Sequence, residues 1–196
     1  MNWVAHVFLS QNDFPIQLGN LLADVLKPVE LKSFGPDIYR GVECHYAIDR
    51  FTDSHKIFQE SKSLFFPIYR HYSAVLIDIF YDHFLVVNWD KYCDIPYLDY
   101  FEQFHNRLRN HSTPLNERAQ YFIDSILTTN RLARYGTLAG VENSLERISQ
   151  RPGFTGRINI VASMKELELH YDELNQHFQA FFPQLIKHTK DALAKD

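Results

Sequence analysis

The sequence is poor in the residues that turns and β-sheets require. It has seven glycines and eight prolines among 196 residues, and no Asn-Gly or Asp-Gly pair separates alternating apolar runs. Because these signals are missing while 45% of the residues are hydrophobic, we expect an all-α protein. We predict a single helical domain over residues 1–196, a bundle of about seven or eight helices.

The sequence also lacks the features of secreted and membrane proteins. Its two cysteines, Cys44 and Cys93, form neither a disulfide framework nor a Cys-x-x-Cys pair. The first residues show no basic segment ahead of an apolar run, as a signal peptide would. No stretch of about 18 uncharged apolar residues occurs either. We therefore expect a cytoplasmic protein that does not span a membrane.

Positive charge is too sparse to indicate binding of nucleic acid. The chain has 20 basic and 24 acidic residues, a formal net charge of −4. The distribution is uneven, because residues 101–157 contain eight arginines and five acidic residues. Such a region could receive an acidic partner, although dispersed arginines on helices are usually only solvated.

Apolar residues recur at helical spacing along most of the chain. The segment 74–89 is apolar almost all round, which is typical of a helix enclosed by its neighbours. We expect Pro67 to break or kink its helix, and Arg151-Pro152-Gly153 to form a loop. The predicted helices cover residues 16–26, 36–52, 57–71, 74–89, 98–108 and 138–148, a helix opened by Thr113-Pro114 that runs through Ile126, and a last long helix over 158–182.

The enclosed segment carries three polar residues. Asp78 and Asp82 lie four residues apart, so a helix places both on one face, with His83 beside them. Two buried neighbouring carboxylates repel each other and lose hydration, so they demand a cation, strong hydrogen bonds or protons. A divalent metal would meet this demand. The alternative is that both aspartates pair with basic residues of other helices and that His83 is a hydrogen-bonded core histidine.

A second polar face lies on the helix that begins near Pro36. His45, Asp49 and Asp53 recur every four residues, and Arg50 and His55 lie close by. Imidazole nitrogen and carboxylate oxygen suit Mn, Fe or Zn ions and, with more oxygen, Mg. Two helices that each present such groups can converge on one metal or a metal pair. The alternative is a solvated helix surface with its aspartates paired to basic neighbours.

Two more polar residues interrupt apolar segments. Asp24 is the only ionised residue in 16–26, and the pattern suits a metal ligand and a helix-cap partner equally. His6 stands alone between Ala5 and Val7. A lone histidine of this kind is more often a core residue than a catalytic one.

Several short motifs occur in order along the chain: MNWVAH at 1–6, GNLLAD at 19–24, HYAIDRFTDSH at 45–55, YDHFL at 81–85, ELHYDEL at 168–174 and FFPQL at 181–185. Together they resemble the bacterial acyl carrier protein phosphodiesterases, also called acyl carrier protein hydrolases. The resemblance implies an enzyme of lipid metabolism. Its reaction would hydrolyse the phosphodiester between 4′-phosphopantetheine and a serine of holo-acyl carrier protein. The products would be the apo protein and free 4′-phosphopantetheine.

The resemblance also implies an affinity with the helical HD phosphohydrolases, which depend on a metal. Manganese is the ion expected in this branch, with magnesium or iron as alternatives. The usual His-Asp doublet is absent, and Asp82-His83 reverses it. We expect the metal ligands among Asp24, His45, Asp49, Asp78, Asp82 and His83.

The same hypothesis gives roles to the residues around the metal. We expect His6 or His55 to donate a proton to the leaving serine, and Asp53 to orient that donor. Arg50 would stabilise the charge that develops on the phosphoryl oxygens.

The implied carrier protein is acidic, so basic residues are candidates for docking it. These are the arginines between 107 and 157, or Lys27, Lys32 and Arg40 near the first helices. Two other functions remain open: a metal-dependent nucleotide phosphohydrolase of the HD group, and a helical protein that binds the carrier without cleaving it.

Overall fold

The computed structural model describes residues 1–129, 131–151 and 158–194, which are helical almost throughout. No strand occurs in these ranges, so the prediction of an all-α fold is confirmed. None of the described helices has both the length and the apolar composition needed to cross a bilayer. The helices are α1 (Trp3–Leu9), α2 (Phe14–Leu22), α3 (Pro28–Leu31), α4 (Pro36–Ser54), α5 (Lys56–Tyr69), α6 (Ser73–Val87), α7 (Tyr97–Asn110), α8 (Glu117–Thr129), α9 (Leu138–Ser149), α10 (Met164–Leu169) and α11 (Tyr171–Leu193), with short 3₁₀ helices at Arg70–Tyr72, Trp89–Lys91, Arg131–Gly136 and Ile160–Ser163.

Helix α6 lies at the centre of the hydrophobic core, as its all-round apolar sequence predicts. Eleven of its 15 residues are buried. It packs against α1, α5, α9 and α11, and the buried hydrophobic residues of these helices belong to one cluster. Burial of this helix on every side explains why an amphipathic pattern is absent from its sequence.

Helices α2 and α4 approach so closely that only glycine fits at their contact. A Cβ atom on Gly19 would lie 1.8 Å from the carbonyl oxygen of Ile38. On Gly41 it would lie 2.2 Å from the carbonyl oxygen of Ile16. The contact therefore holds the middle of α2 against the N-terminal part of α4.

Two predicted boundaries differ from the structure. Helix α2 ends at Leu22 rather than near residue 26. Helix α8 begins at Glu117, so the start predicted at Thr113-Pro114 is wrong. The side chain of Asn116 accepts a hydrogen bond from the backbone N–H of Ala119 at 2.9 Å. Asn116 thus supplies the N-terminal cap that sets the start of α8.

The single helix predicted over 158–182 is also wrong. The chain instead forms a 3₁₀ helix, α10 and α11, with a break at His170. Helix α11 continues through Pro183 to Leu193, because the fully buried side chains of Phe178 and Phe182 hold it against the core despite the hydrogen bond that proline removes. Likewise α5 is helical through Pro67 and ends at Tyr69. Pro152 and Gly153 of the predicted loop, and Arg157, lie outside the described residues.

Candidate metal centre

Helices α1 and α4 bring His6, His45 and Asp49 together, and each residue offers one ligand atom within 4.8 Å of the others. The two imidazole rings stack with centroids 4.2 Å apart. The Nε2 atoms of His6 and His45 lie 3.4 and 3.1 Å from the carboxylate of Asp49. Asp24, just beyond α2, places a carboxylate oxygen 3.1 Å from Nε2 of His45. We call these four residues the histidine–aspartate cluster.

Asn20 of α2 orients both rings from the opposite side. Its Oδ1 lies 2.7 Å from Nδ1 of His6 and 3.1 Å from Nδ1 of His45. Its Nδ2 donates to the carbonyl oxygen of His6 and to Oγ of Ser10, so Oδ1 is the accepting atom. This network assigns a hydrogen to each Nδ1. Nε2 of His45 is directed at the carboxylates of Asp24 and Asp49, and Nε2 of His6 lies between the carboxylate of Asp49 at 3.4 Å and the carbonyl oxygen of Met1 at 3.2 Å. Such a second contact is how proteins fix the tautomer of a metal-binding histidine.

The donor atoms of the cluster suit a shared cation. Imidazole nitrogens and carboxylate oxygens face one another at 3.1–3.4 Å. Two ligand atoms that each lie about 2.1 Å from one metal are separated by roughly 3.0–3.4 Å in octahedral or tetrahedral geometry. A mixed set of nitrogen and oxygen favours a transition metal over magnesium. The cluster therefore fits one divalent ion.

Without a metal, a proton supplies the positive charge that the cluster needs. Burial lowers the pKa of His6, which is neutral near pH 7. Burial alone would also lower the pKa of His45, but hydrogen bonds to Asp24 and Asp49 raise it to about 9. Although burial opposes ionisation of both aspartates, the histidines hold the pKa of Asp49 well below its usual range and lower that of Asp24. A bound cation would replace the proton on His45.

Asp82 holds the helix that carries His6. Its fully buried carboxylate accepts hydrogen bonds from the backbone N–H groups of Val4 at 2.8 Å and Ala5 at 3.2 Å. Such groups in the first turn of a helix have no partner within it, and a carboxylate there is favourable. Burial raises the pKa of Asp82 to about 7. These N–H groups and the Met1 ammonium act in the opposite direction and lower the pKa, but burial is the larger effect.

The other two polar residues of α6 also have partners of their own. Asp78 forms an ion pair with the Met1 ammonium at 2.7 Å. Nδ1 of His83 lies 2.7 Å from the carbonyl oxygen of Tyr135, and its Nε2 lies 2.8 Å from the hydroxyl of Tyr171. Burial lowers the pKa of His83, so this ring is neutral. The structure thus groups three of the six predicted ligands with His6 and gives the three residues of α6 other contacts.

The remaining predicted catalytic residues follow the cluster along α4. Arg50 and Asp53 are exposed, and the Arg50 side chain has no hydrogen bond or ion pair within the described ranges. His55 is the N-terminal cap of α5, where its Nδ1 accepts a backbone N–H and its ring contacts Phe181. Among the described residues, none of the three has a hydrogen bond or ion pair to the cluster.

A cavity of about 530 Å³ lies beside the cluster. Its lining includes Asp24 of the cluster, together with Asp78 and Met1. Helices α8 and α9 contribute Arg118 and Arg147 to the lining. Apolar side chains also line the cavity: Trp3, Val25, Val75, Ile79, Phe122 and Ile148.

Sequence reasoning missed Asn20 as a site residue. The available signal was its position four residues before Asp24, which places both side chains on one face of a continuing helix. Asn20 is also 1% exposed, and a buried amide requires hydrogen-bonding partners.

Comparison with known proteins gives consistent matches over nearly the whole chain. The family model described as acyl carrier protein phosphodiesterase matches residues 1–185. Three relatives carry that name. The one from Yersinia enterocolitica is 30% identical, with 97% of this chain and 98% of the relative covered. Those from Photorhabdus laumondii and Escherichia coli O139:H28 are 27% and 28% identical, with at least 95% of each chain covered. No solved structure matches, so the likeness to HD phosphohydrolases stays a prediction. The chain belongs to the acyl carrier protein phosphodiesterase family.

Proposed function

We propose that this protein hydrolyses the phosphodiester between 4′-phosphopantetheine and a serine of holo-acyl carrier protein. Water adds to phosphorus, the bond from phosphorus to the serine oxygen breaks, and the serine oxygen takes a proton. The products are the apo carrier and 4′-phosphopantetheine. The observation that carries the proposal is the histidine–aspartate cluster beside a cavity large enough for a small molecule. The names of the relatives supply the class of substrate.

In this proposal, His6, His45 and Asp49 hold a divalent cation and Asp24 offers a further oxygen. The cation supplies Lewis acidity toward a phosphoryl oxygen and lowers the pKa of a water molecule. The side chains of Asp24 and Asp49 are 56% and 40% exposed, so a substrate can reach the cluster from the cavity side. Asn20 and Asp82 position the cluster by holding the histidine rings and α1.

The proposed ion is manganese, with iron or magnesium as alternatives. Two imidazole nitrogens in the set favour manganese or iron, since magnesium prefers oxygen ligands. The roles predicted for Arg50, Asp53 and His55 would require contact with the substrate, because none of them bonds to the cluster within the described chain. The free thiols Cys44 and Cys93 suit a reducing compartment, and we propose the cytoplasm.

The test combines metal analysis with mass spectrometry of the carrier. Purified protein should contain a divalent ion and, with manganese, convert holo-acyl carrier protein to the apo form. His45→Ala should lose both the ion and the activity. His55→Ala is the matched control, because His55 directly follows the helix that carries His45 but lies outside the cluster, and it should keep the ion.

Two outcomes would contradict the proposal. Turnover of nucleotides but not of the holo carrier would indicate a nucleotide phosphohydrolase. Binding of the carrier without release of 4′-phosphopantetheine would indicate a binding protein.

A further inference from the structure

Two arginines of α8 and α9 line the cavity beside the cluster. Arg118 lies in α8 and Arg147 in α9, and both side chains are exposed. Neither forms a hydrogen bond or ion pair with any other residue that the structure describes. Arg151 also lines the cavity. An arginine guanidinium offers a planar fork of donors that matches a carboxylate or phosphate group.

The charges around the cavity are separated by sign. The acidic residues of α8 and α9 do not line it: Glu117, Asp124, Glu142 and Glu146. The two carboxylates that do line it come from other elements: Asp24, just beyond α2, belongs to the cluster, and Asp78 of α6 is paired with the Met1 ammonium. Arg118 and Arg147 thus offer positive charge to the cavity, although the whole chain has a net charge of −4.

We infer that Arg118 and Arg147 form a docking rim for an acidic surface of the protein that carries the phosphodiester. With that surface on the rim, the modified side chain enters the cavity and its phosphorus reaches the cluster. This inference rests on the proposed function. The volume of about 530 Å³ is that of a pocket for a small molecule, and its lining mixes polar and apolar side chains, as an arm with amide groups and methylene groups requires.

The exposure of the two arginines distinguishes docking from catalysis. A residue that stabilises charge in the transition state works best when water is excluded. Exposed charges at the edge of an interface mainly affect the association rate and its dependence on salt.

The other basic groups near the first helices are less suited to this role. Arg40 donates a hydrogen bond to the carbonyl oxygen of Leu193 at 3.0 Å. Lys27 and Lys32 are exposed but do not line the cavity.

The test is charge reversal at the rim, with steady-state kinetics on the holo carrier at low and high salt. Arg118→Glu and Arg147→Glu should each raise KM about tenfold at low salt and change kcat by no more than about twofold. The KM of each variant should also depend less on salt than that of the wild type. Arg109→Glu is the matched control, because Arg109 is an exposed arginine that lines a separate cavity. It should behave as the wild type does.

A small substrate separates docking from contact with the scissile phosphate. Rim variants should lose far less rate on bis(p-nitrophenyl) phosphate than on the holo carrier. Equal losses of rate on both substrates would overturn the inference. A raised KM for the holo carrier in the double variant Lys27→Glu/Lys32→Glu, with an unchanged KM in the rim variants, would overturn it as well. If the wild type does not cleave the carrier, the proposed function fails. Calorimetric titration of the carrier then still tests the rim, and unchanged affinity in both rim variants would overturn it.

Discussion

At the scale of single residues, Asn20 determines how the two histidines are presented. One amide oxygen lies within hydrogen-bond distance of Nδ1 on both rings, and the amide nitrogen is bound to α1 through the carbonyl oxygen of His6. Without this side chain, the His6 ring could rotate or adopt the other tautomer, whereas Nδ1 of His45 would keep its contact with the backbone carbonyl oxygen of Asn20 at 2.9 Å. The two Nε2 atoms would then no longer point at the same carboxylate, that of Asp49.

We therefore expect Asn20→Ala to lower the affinity for manganese about 10- to 100-fold, as loss of a contact behind a ligand commonly does. Titration of the metal-free protein followed by calorimetry measures this. Asn88→Ala is the control, because Asn88 is also a buried amide but bonds to Phe84 and Asn175. The control should lose stability and keep its affinity. Equal affinities in the two variants would contradict the role of Asn20.

The pKa of Asp82 gives a prediction for stability against pH. Burial raises this pKa from 3.8 to about 7 in the folded protein. The folded state therefore binds more protons than the unfolded state between these values, and stability falls as the pH rises through this window. The steepest slope from one group is about 1.4 kcal/mol per pH unit.

Asp82→Asn removes this titration. The free energy of unfolding of the variant, minus that of the wild type, should therefore increase as the pH rises from 4 to about 7, because only the wild type loses stability in this window. Urea unfolding at a series of pH values, with chelator present, measures the difference. A difference that does not vary with pH would mean that Asp82 stays ionised throughout.

At the scale of elements, the pair α2–α4 assembles most of the cluster. Asn20 and Asp24 come from α2 and the turn after it, and His45 and Asp49 come from α4. Their separation depends on the glycine contact, because a side chain at Gly19 would meet backbone atoms that cannot move independently.

Gly19→Ala should destabilise the protein by about 1–3 kcal/mol or more, as overpacking does, and weaken manganese binding as α2 shifts away from α4. Urea unfolding and metal titration measure both effects. Gly35→Ala is the matched control, since a Cβ on Gly35 meets nothing within 4 Å. It should stay within about 1 kcal/mol of the wild type, because a poorer helix cap and a less flexible unfolded chain offset each other. Similar losses in the two variants would contradict the close contact.

Helical periodicity predicts elements well where one helix meets the core along one stripe. The structure confirms helices near the predicted ranges 36–52, 74–89 and 138–148. The prediction from periodicity is wrong at the C-terminus. There α10 and α11 pack on the same core, so their apolar residues keep a helical spacing across the break at His170. Proline disfavours the interior of a helix, but α11 continues through Pro183 because the buried side chains of Phe178 and Phe182 pack against the core.

The site was predictable to the extent that its residues lie on one helix. The spacing of His45 and Asp49 places both on one face, and the structure has them 3.1 Å apart. The cost of burying Asp82 correctly indicates that it needs partners, but spacing along α6 does not show what lies opposite. There the structure has the backbone N–H groups of α1. His6 came only from the resemblance of the opening motif, because pattern alone favoured a core role.

At the scale of the whole molecule, the cluster joins parts of the chain that are distant in sequence. His6 lies in α1 and His45 in α4, and both rings contact Asn20 of α2. Asp82 of α6 holds the start of α1. A cation bound by this cluster therefore has no comparable site in the unfolded chain, and its binding free energy adds to the stability of the fold.

Manganese should consequently raise the melting temperature of the metal-free protein, and a chelator should lower it again. For an ion that binds only the folded state, the gain is about 2.7 kcal/mol when its free concentration is 100 times the dissociation constant. Thermal unfolding followed by circular dichroism, over a series of manganese concentrations, measures the shift. His45→Ala should show no shift with manganese, whereas His55→Ala should follow the wild type, because His55 caps α5 outside the cluster. Equal shifts in both variants would place the stabilising ion elsewhere on the protein.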